Sequence, residues 1–370
     1  MIIGVPKEIK NHENRVGLTP DGVTKITASG HTVYIEHNAG IGSGFKDSEY
    51  IKARAKILPS AKSVYKASEM IVKIKEPLAQ EFALIQTKQI IFTYLHLAAE
   101  KKLTQFLLKN KVAGIAYETV ETPDKHLPLL EPMSQVAGRM SIQVGAHFLE
   151  KTHGGRGVLL GGTTDVLPAN VVVLGYGIAG SNAVQMARGL GANVLVFDVD
   201  QKKIKQINNK NNPLFKAELS NSSNIAKALL EADLVVGAVL IPGAKAPKLV
   251  TKKMIKNMQD GSVIVDIAID QGGSMETSEP TNHEHPIYKV FGVTHYCVTN
   301  MPGAVARTST LALTARTLPY ILELANKGFT KAIKDNRDLA KGVNTFNGKL
   351  TCQGVANAFS LPCDCVEKII

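Results

Sequence analysis

The chain is short of cysteine: four in 370 residues, Cys297, Cys352, Cys363 and Cys365. They are too few and too clustered for a disulfide framework, so reduced thiols in a cytoplasmic protein are the simplest reading. Cys363-Asp364-Cys365 is a C-x-C without a second pair and gives no ground for zinc. There is no apolar run near the ~20 residues that a membrane helix needs. Even the stretch from Val171 to Phe197 is broken by Asn182, Gln185 and Arg188, so no membrane partner is expected. Met1-Ile2-Ile3-Gly4-Val5-Pro6-Lys7-Glu8 has no basic n-region and no long apolar core; it reads as a strand, not a signal peptide. Internal repeats and low-complexity segments are missing too. So is a basic tail: 43 Lys and Arg against 32 Asp and Glu leave +11, but the lysines are scattered, with only short clusters such as Lys202-Lys203 and Lys252-Lys253. Nucleic-acid binding would gather that charge in one patch. The excess reads as solvated surface that favours small anionic substrates.

What is present is an ordinary globular composition, 44% apolar and 20% charged. The length suggests two domains at about 150 residues each. The most informative stretch is Val171-Val172-Val173-Leu174-Gly175-Tyr176-Gly177-Ile178-Ala179-Gly180, then a helical segment from Ser181 to Leu190, then Ala192-Asn193-Val194-Leu195-Val196-Phe197-Asp198. A β-branched strand runs into G-x-G-x-x-G, and the next strand ends on an acid, which is the dinucleotide fingerprint in its required context. Gly175 allows the tight turn, Gly177 the approach of backbone to a pyrophosphate, and Gly180 close packing of the helix. The helix N-terminus offers N–H groups and partial positive charge to phosphates. Asp198 stands where a carboxylate takes the ribose hydroxyls and repels a 2′-phosphate, which favours NAD over NADP.

Around that core the pattern alternates strand and helix, an α/β fold with mostly parallel sheets. Strands are expected at Ile2–Val5, Thr32–Ile35, Met70–Ile74, Ile90–Tyr94 and Val112–Ala116, with a helix near Glu100–Lys109. Thr19-Pro20-Asp21 opens a helix through Ile26 as N-cap, first-turn proline and first-turn acid. From Ser134 to Lys151, Val136, Met140, Val144 and Phe148 lie four apart, a long helix joining the domains. Further strands are expected at Leu234–Val239, Val263–Ile269 and near Val290–Val298. From about Ser309 the chain reads as helical, with Pro319 a kink and Gly328 a stop. The expected division is 1–130 plus 306–370 as a discontinuous substrate domain and 131–305 as the dinucleotide domain, both Rossmann-like.

Four segments put polar residues where an α/β site wants them, past the carboxyl ends of strands. Arg15 could bind a carboxylate in bidentate fashion, or be a surface arginine paired with Glu13. Lys73 and Lys75 lie on one face of the predicted strand, as an anion site or as solvated lysines on an edge strand. His96 is either a proton carrier or a structural histidine, one of ten in the chain. Asp270 can face a nicotinamide or simply form an Asx-turn before Gln271-Gly272-Gly273. His283-Glu284-His285 lies in a polar loop ending at Pro286 and reads as surface.

Several blocks together resemble the alanine dehydrogenases and the related transhydrogenase subunits. They are Gly4-Val5-Pro6-Lys7-Glu8 through Asn11-His12-Glu13-Asn14-Arg15-Val16-Gly17-Leu18-Thr19-Pro20, His153-Gly154-Gly155-Arg156-Gly157-Val158-Leu159-Leu160-Gly161-Gly162, Asp266-Ile267-Ala268-Ile269-Asp270-Gln271-Gly272-Gly273 and Asn300-Met301-Pro302-Gly303-Ala304-Val305, alongside the fingerprint itself. Thr163-Thr164-Asp165 and Ala306 depart from the family pattern, outside the matched catalytic set. The resemblance implies that Arg15 and Lys75 hold the substrate carboxylate and carbonyl, and that His96 and Asp270 are the proton-handling pair. It places Ser134, Gly175, Gly177, Ile178, Gly180, Asp198, Lys203, Ser220, Val239, Leu240, Ile267, Asp270, Val298, Asn300 and Met301 around NAD. It implies reversible oxidative deamination of L-alanine to pyruvate and ammonium, and a homohexamer. No metal is required, since the hydride chemistry is the cofactor's. The rivals are a transhydrogenase subunit passing hydride between nucleotides, a lysine-pathway dehydrogenase with a larger pocket, and an NAD-binding regulatory module.

Overall fold

The computed structural model describes residues 1–239 and 246–370. Backbone contacts divide the chain into two units, Met1–Met133 with Val305–Ile370, and Ser134–Ala304. Strands are numbered along the chain.

The first unit is built on an eight-stranded sheet ordered β15-β14-β6-β5-β4-β1-β2-β3. Its strands are β1 (Ile2–Val5), β2 (Thr32–Glu36), β3 (Lys56–Leu58), β4 (Met70–Val72), β5 (Ile90–Thr93), β6 (Ala113–Ala116), β14 (Val343–Phe346) and β15 (Lys349–Leu350). β1 to β6 are parallel, so their carboxyl ends share one edge. β4, β5 and β6 are buried along their whole length, which is why their sequences are continuous apolar runs without alternation. The chain leaves β1 toward β2 on one side while β4 lies on the other; this reversal of strand order is where such sheets open a crevice. The helix Pro20–Ala28 has Thr19 as its N-cap, whose hydroxyl accepts from the Gly22 amide, and Pro20 in the first turn.

The second unit carries a seven-stranded sheet ordered β12-β13-β11-β10-β7-β8-β9. These are β7 (Asn170–Leu174), β8 (Asn193–Asp198), β9 (Phe215–Leu219), β10 (Leu234–Gly237), β11 (Val263–Asp266), β12 (Ile287–Val290) and β13 (Val293–Tyr296). All neighbours are parallel except the β12–β13 hairpin at one edge. The reversal of order falls between β7 and β10, directly beneath the Gly175 turn.

Three expectations are corrected. The strand at Met70 stops at Val72, so Lys73 and Lys75 lie beyond it, and β4 is interior rather than an edge. The strand at Val263 stops at Asp266, and Asp270 lies in the 3₁₀ turn Ile267–Gln271. The carboxyl-terminal segment is not all helical: after the 22-residue helix Ala306–Lys327, which contains Pro319 and ends at Gly328 with φ of 73°, it supplies β14 antiparallel to β6. The long helix Glu131–Leu149 begins three residues before Ser134 and runs from one unit into the other. Among the described residues no helix is long and apolar enough to cross a membrane.

Candidate active site

In the first unit, Arg15 follows β1, Lys75 follows β4 and His96 follows β5, three adjacent strand ends around the reversal of order. Arg15 is 2% exposed, so the surface-arginine reading is wrong, although the pairing with Glu13 is real. Arg15 Nε donates to Glu13 Oε1 at 2.7 Å and Nη2 to Oε2 at 2.5 Å, a fork held in plane, while Nη1 meets Met133 Sδ at 3.0 Å. Burial pushes the Lys75 amine below the ordinary lysine value, and the Arg15 charge pushes it the same way. The two cations are therefore electrostatic neighbours, with the Glu13 and Glu76 carboxylates opposing the push on Lys75.

Lys73 is fully buried and serves a different purpose. Its ammonium lies 2.9 Å from Glu81 Oε1 and 3.2 Å from Glu8 Oε2, and Tyr65 donates to Glu81 at 3.0 Å. The other Glu8 oxygen accepts from the Ile74 amide at 2.6 Å and from the Lys75 amide at 3.4 Å. Glu8 thus ties the Lys73 ion pair to the backbone that presents Lys75. Burial raises the Glu8 carboxyl above its ordinary value despite Lys73. Sequence reading gave Glu8 and Glu81 no role: their partner is 65 and 8 residues away, and although Glu8 ends the block Gly4-Val5-Pro6-Lys7-Glu8, nothing local shows what it pairs with.

His96 is exposed and sits at φ of 48°, left-handed backbone that non-glycine residues seldom adopt. Glu118 stabilises that bend by accepting from the His96 amide at 2.7 Å and the Leu95 amide at 3.2 Å, with its carboxylate 4.0 Å from His96 Nδ1. The ring stacks on Tyr94 at 5.9 Å between centroids, and Tyr94 is anchored by donating to Leu129 O at 2.6 Å. Burial raises the neighbouring Glu76 carboxyl, but Lys10 at 2.5 Å and the charge on His96 bring it below its ordinary value. Lys75 is thus coupled to Arg15 directly, and to His96 by way of Glu76.

In the second unit, Gly175 turns at φ of 96°, where a side chain would be strained. A Cβ on Gly180 would lie 1.9 Å from Gly175 O, whereas one on Gly177 would meet nothing within 4 Å. Ile178 is the first residue of the helix. Asp198 is 8% exposed; its oxygens accept from the Tyr176 amide at 2.7 Å and the Asp200 amide at 2.9 Å, so the carboxylate is fixed against the glycine turn. Lys203 Nζ donates to Tyr176 O at 3.4 Å, and the Ser220 amide to Asp198 O at 2.9 Å. Val239 stands against Gly175, 3.2 Å from its would-be Cβ; Leu240 lies outside the described residues. Ser134 is half-buried in the long helix.

The loop carrying Asp270 hangs on a residue that sequence reading passed over. Asp266, fully buried at the end of β11, accepts from the Ala268 amide at 3.1 Å, the Ser274 amide at 2.7 Å and the Ser278 hydroxyl at 2.5 Å. This leaves Ile267 half-buried and Asp270 exposed. Val298 and Met301 are buried, and Asn300 between them adopts φ of 60°. The visible signal for Asp266 was an acid inside an apolar strand.

An open parallel sheet with a G-x-G-x-x-G turn at its reversal, in one chain with a second α/β unit, defines a two-unit α/β protein of the dinucleotide-binding class. The chain belongs to the alanine dehydrogenase/PNT family: the model of its N-terminal domain matches residues 4–137 and that of its C-terminal domain residues 141–353. It is 57% identical to an alanine dehydrogenase of Methanococcus maripaludis and 53% identical to one of Staphylococcus saprophyticus, each over the whole of both chains. Among solved structures it is similar to an L-alanine dehydrogenase, with a TM-score of 0.94 and 51% identity over 97% of this chain and 99% of that one. It is also similar to a transhydrogenase from Sinorhizobium meliloti, with a TM-score of 0.82 and 25% identity over 95% and 99%.

Proposed function

We propose that the protein catalyses the reversible NAD-dependent oxidative deamination of L-alanine to pyruvate and ammonium. The observation that supports it most is the group Arg15, Lys75 and His96 at the strand ends of one unit, in a chain whose other unit carries the dinucleotide turn. Passing hydride between two nucleotides, as a transhydrogenase subunit does, needs no such carboxylate site.

The residues of the turn fit NAD: the space over Gly177 accepts a pyrophosphate, and the fixed Asp198 carboxylate suits a ribose diol and repels a 2′-phosphate. NAD, when bound, supplies the hydride acceptor at its nicotinamide. Arg15 takes the substrate carboxylate in two parallel hydrogen bonds, and Lys75 donates to the carbonyl oxygen. Orientation of this kind is worth ~7–11 kcal/mol of the barrier in favourable cases. His96 moves the protons as water adds to the iminium and the carbinolamine loses ammonia; Asp270 assists. Ser134, Lys203, Ser220, Val239, Ile267, Val298, Asn300 and Met301 line the cofactor in this reading. A cytoplasmic homohexamer belongs to it as well, and light scattering checks the assembly.

The test follows NADH oxidation at 340 nm with pyruvate and ammonium, beside pyruvate alone and an NADPH control. Ammonium-dependent turnover with NADH, abolished in His96→Ala and Asp270→Ala, supports the reading. A folded protein that binds NADH and turns over nothing sinks it.

Two glycines separate binding from packing. Gly177→Ala should unfold like the parent yet lose NADH binding, because its Cβ enters only the cofactor's space. Gly180→Ala should lose both, with an overpacking cost of about 1–3 kcal/mol. NADH fluorescence titration and urea unfolding check the pair; equal stability of the two variants overturns the assignment.

Lys75 carries a pH signature. Its folded pKa lies below the ordinary 10.5, so a charged Lys75 costs stability below that folded value, and the cost fades as pH rises to 10.5. Lys75→Met should therefore lose activity while resisting urea better than the parent at neutral pH, with the advantage gone by pH 10.5. A variant that is less stable at neutral pH contradicts this account.

A further inference from the structure

The second unit holds a group of side chains that the proposed reaction does not use. Where the long helix ends, His147, Glu150 and His153 follow one another at i, i+3 and i+6, and their ligand atoms all lie within 4.8 Å of one another. Glu150 stands between the rings, one oxygen 3.9 Å from His147 Nδ1 and the other 3.3 Å from His153 Nδ1. The imidazole centroids are 3.9 Å apart and tilted by 40°.

We propose that His147, Glu150 and His153 form a surface site for a divalent first-row transition metal of the zinc class. Two imidazoles and a carboxylate are the ligand set such ions take, with further positions left to water. The helix C-terminus contributes partial negative charge, which favours a cation there. The turn is built to hold its shape: the His153 amide donates to Glu150 O at 3.1 Å, the Gly155 amide to the same oxygen at 3.0 Å, and Gly154 turns at φ of 81°. Phe148 packs edge-on against the His153 ring at 6.1 Å. The ammonium that approaches this turn, Lys289, is engaged by Gly154 O at 2.9 Å. The three side chains are 51%, 57% and 37% exposed, so an ion reaches them from solvent without any opening of the fold.

The experiment is equilibrium dialysis of the full chain against zinc, followed by the absorption spectrum with cobalt. It is repeated in a Cys352→Ser, Cys363→Ser, Cys365→Ser background, because these thiols, two exposed and one half-buried, are the competing ligands. One zinc per chain is expected in that background, with no thiolate charge-transfer band in the cobalt form. Affinity should fall in His147→Ala and in His153→Ala by more than the roughly 10- to 100-fold that loss of an outer-shell partner costs, and it should fall with acidification, because the ligands must be deprotonated. Circular dichroism should be unchanged in these surface variants. Zinc binding that survives the double variant His147→Ala, His153→Ala, or that vanishes with the cysteines, overturns the proposal; so does no binding at millimolar zinc.

Discussion

Arg15→Lys should leave the protein folded and lower kcat/KM for pyruvate by roughly 30- to 5,000-fold, the about 2–5 kcal/mol of a truncated buried charge pair. Charge is conserved in this substitution, so a point-charge role for Arg15 predicts almost no change. The geometry says otherwise. Glu13 takes Nε and Nη2 together at 2.7 and 2.5 Å, which sets the guanidinium plane. A lysine cannot make that fork, nor present a second fork to a carboxylate. Glu13→Gln should act in the same direction with a smaller loss, because an amide still takes one bond from the guanidinium. Steady-state kinetics with pyruvate and NADH checks both. Turnover of Arg15→Lys within a few-fold of the parent would remove Arg15 from substrate binding.

The two halves of the site differed in how openly the chain displayed them. The dinucleotide turn is local: four consecutive apolar residues, three glycines at fixed spacing and an acid ending the next strand lie within 28 residues, Val171 to Asp198. Each glycine has a steric reason that needs no knowledge of the rest of the fold. Arg15, Lys75 and His96 are 60 and 21 residues apart along the chain. Only the sheet order brings β1, β4 and β5 side by side, so their grouping rested on the resemblance. Lys73 and Lys75 were indistinguishable by spacing, yet one is locked in an ion pair and the other is held destabilised near Arg15. What separates them is Glu8, whose role depends on a strand pairing between β1 and β4 that no periodicity reveals. β14 and β15 escaped notice for a related reason. Val343-Asn344-Thr345-Phe346 is four residues long and half polar; it becomes a strand by pairing antiparallel with β6, where the Thr345 hydroxyl donates to Val112 O and accepts from the Gly114 amide.

That same ion pair supports the largest stability prediction. Lys73→Met should destabilise the first unit by about 3–5 kcal/mol, because it leaves Glu8 and Glu81 buried with their cation gone. Methionine matches the lysine stem in length and fills its space, so a cavity adds little. The loss should also depend on pH in a direction that packing cannot imitate. Burial already raises Glu8 above the ordinary 4.5, and Lys73 opposes that rise. Without Lys73 the folded pKa climbs further, so the native state binds more protons than the unfolded one above 4.5, and stability falls as pH rises through that window. The deficit of Lys73→Met should therefore be largest at neutral pH and shrink as the solution is acidified toward 4.5. Adding Glu8→Gln and Glu81→Gln should recover much of it at neutral pH, since neutral amides need no cation. Urea unfolding across pH 5 to 8 reads all three arms. A deficit that is flat in pH, and is not relieved by the glutamines, would mean that Lys73 matters for its volume and not its charge.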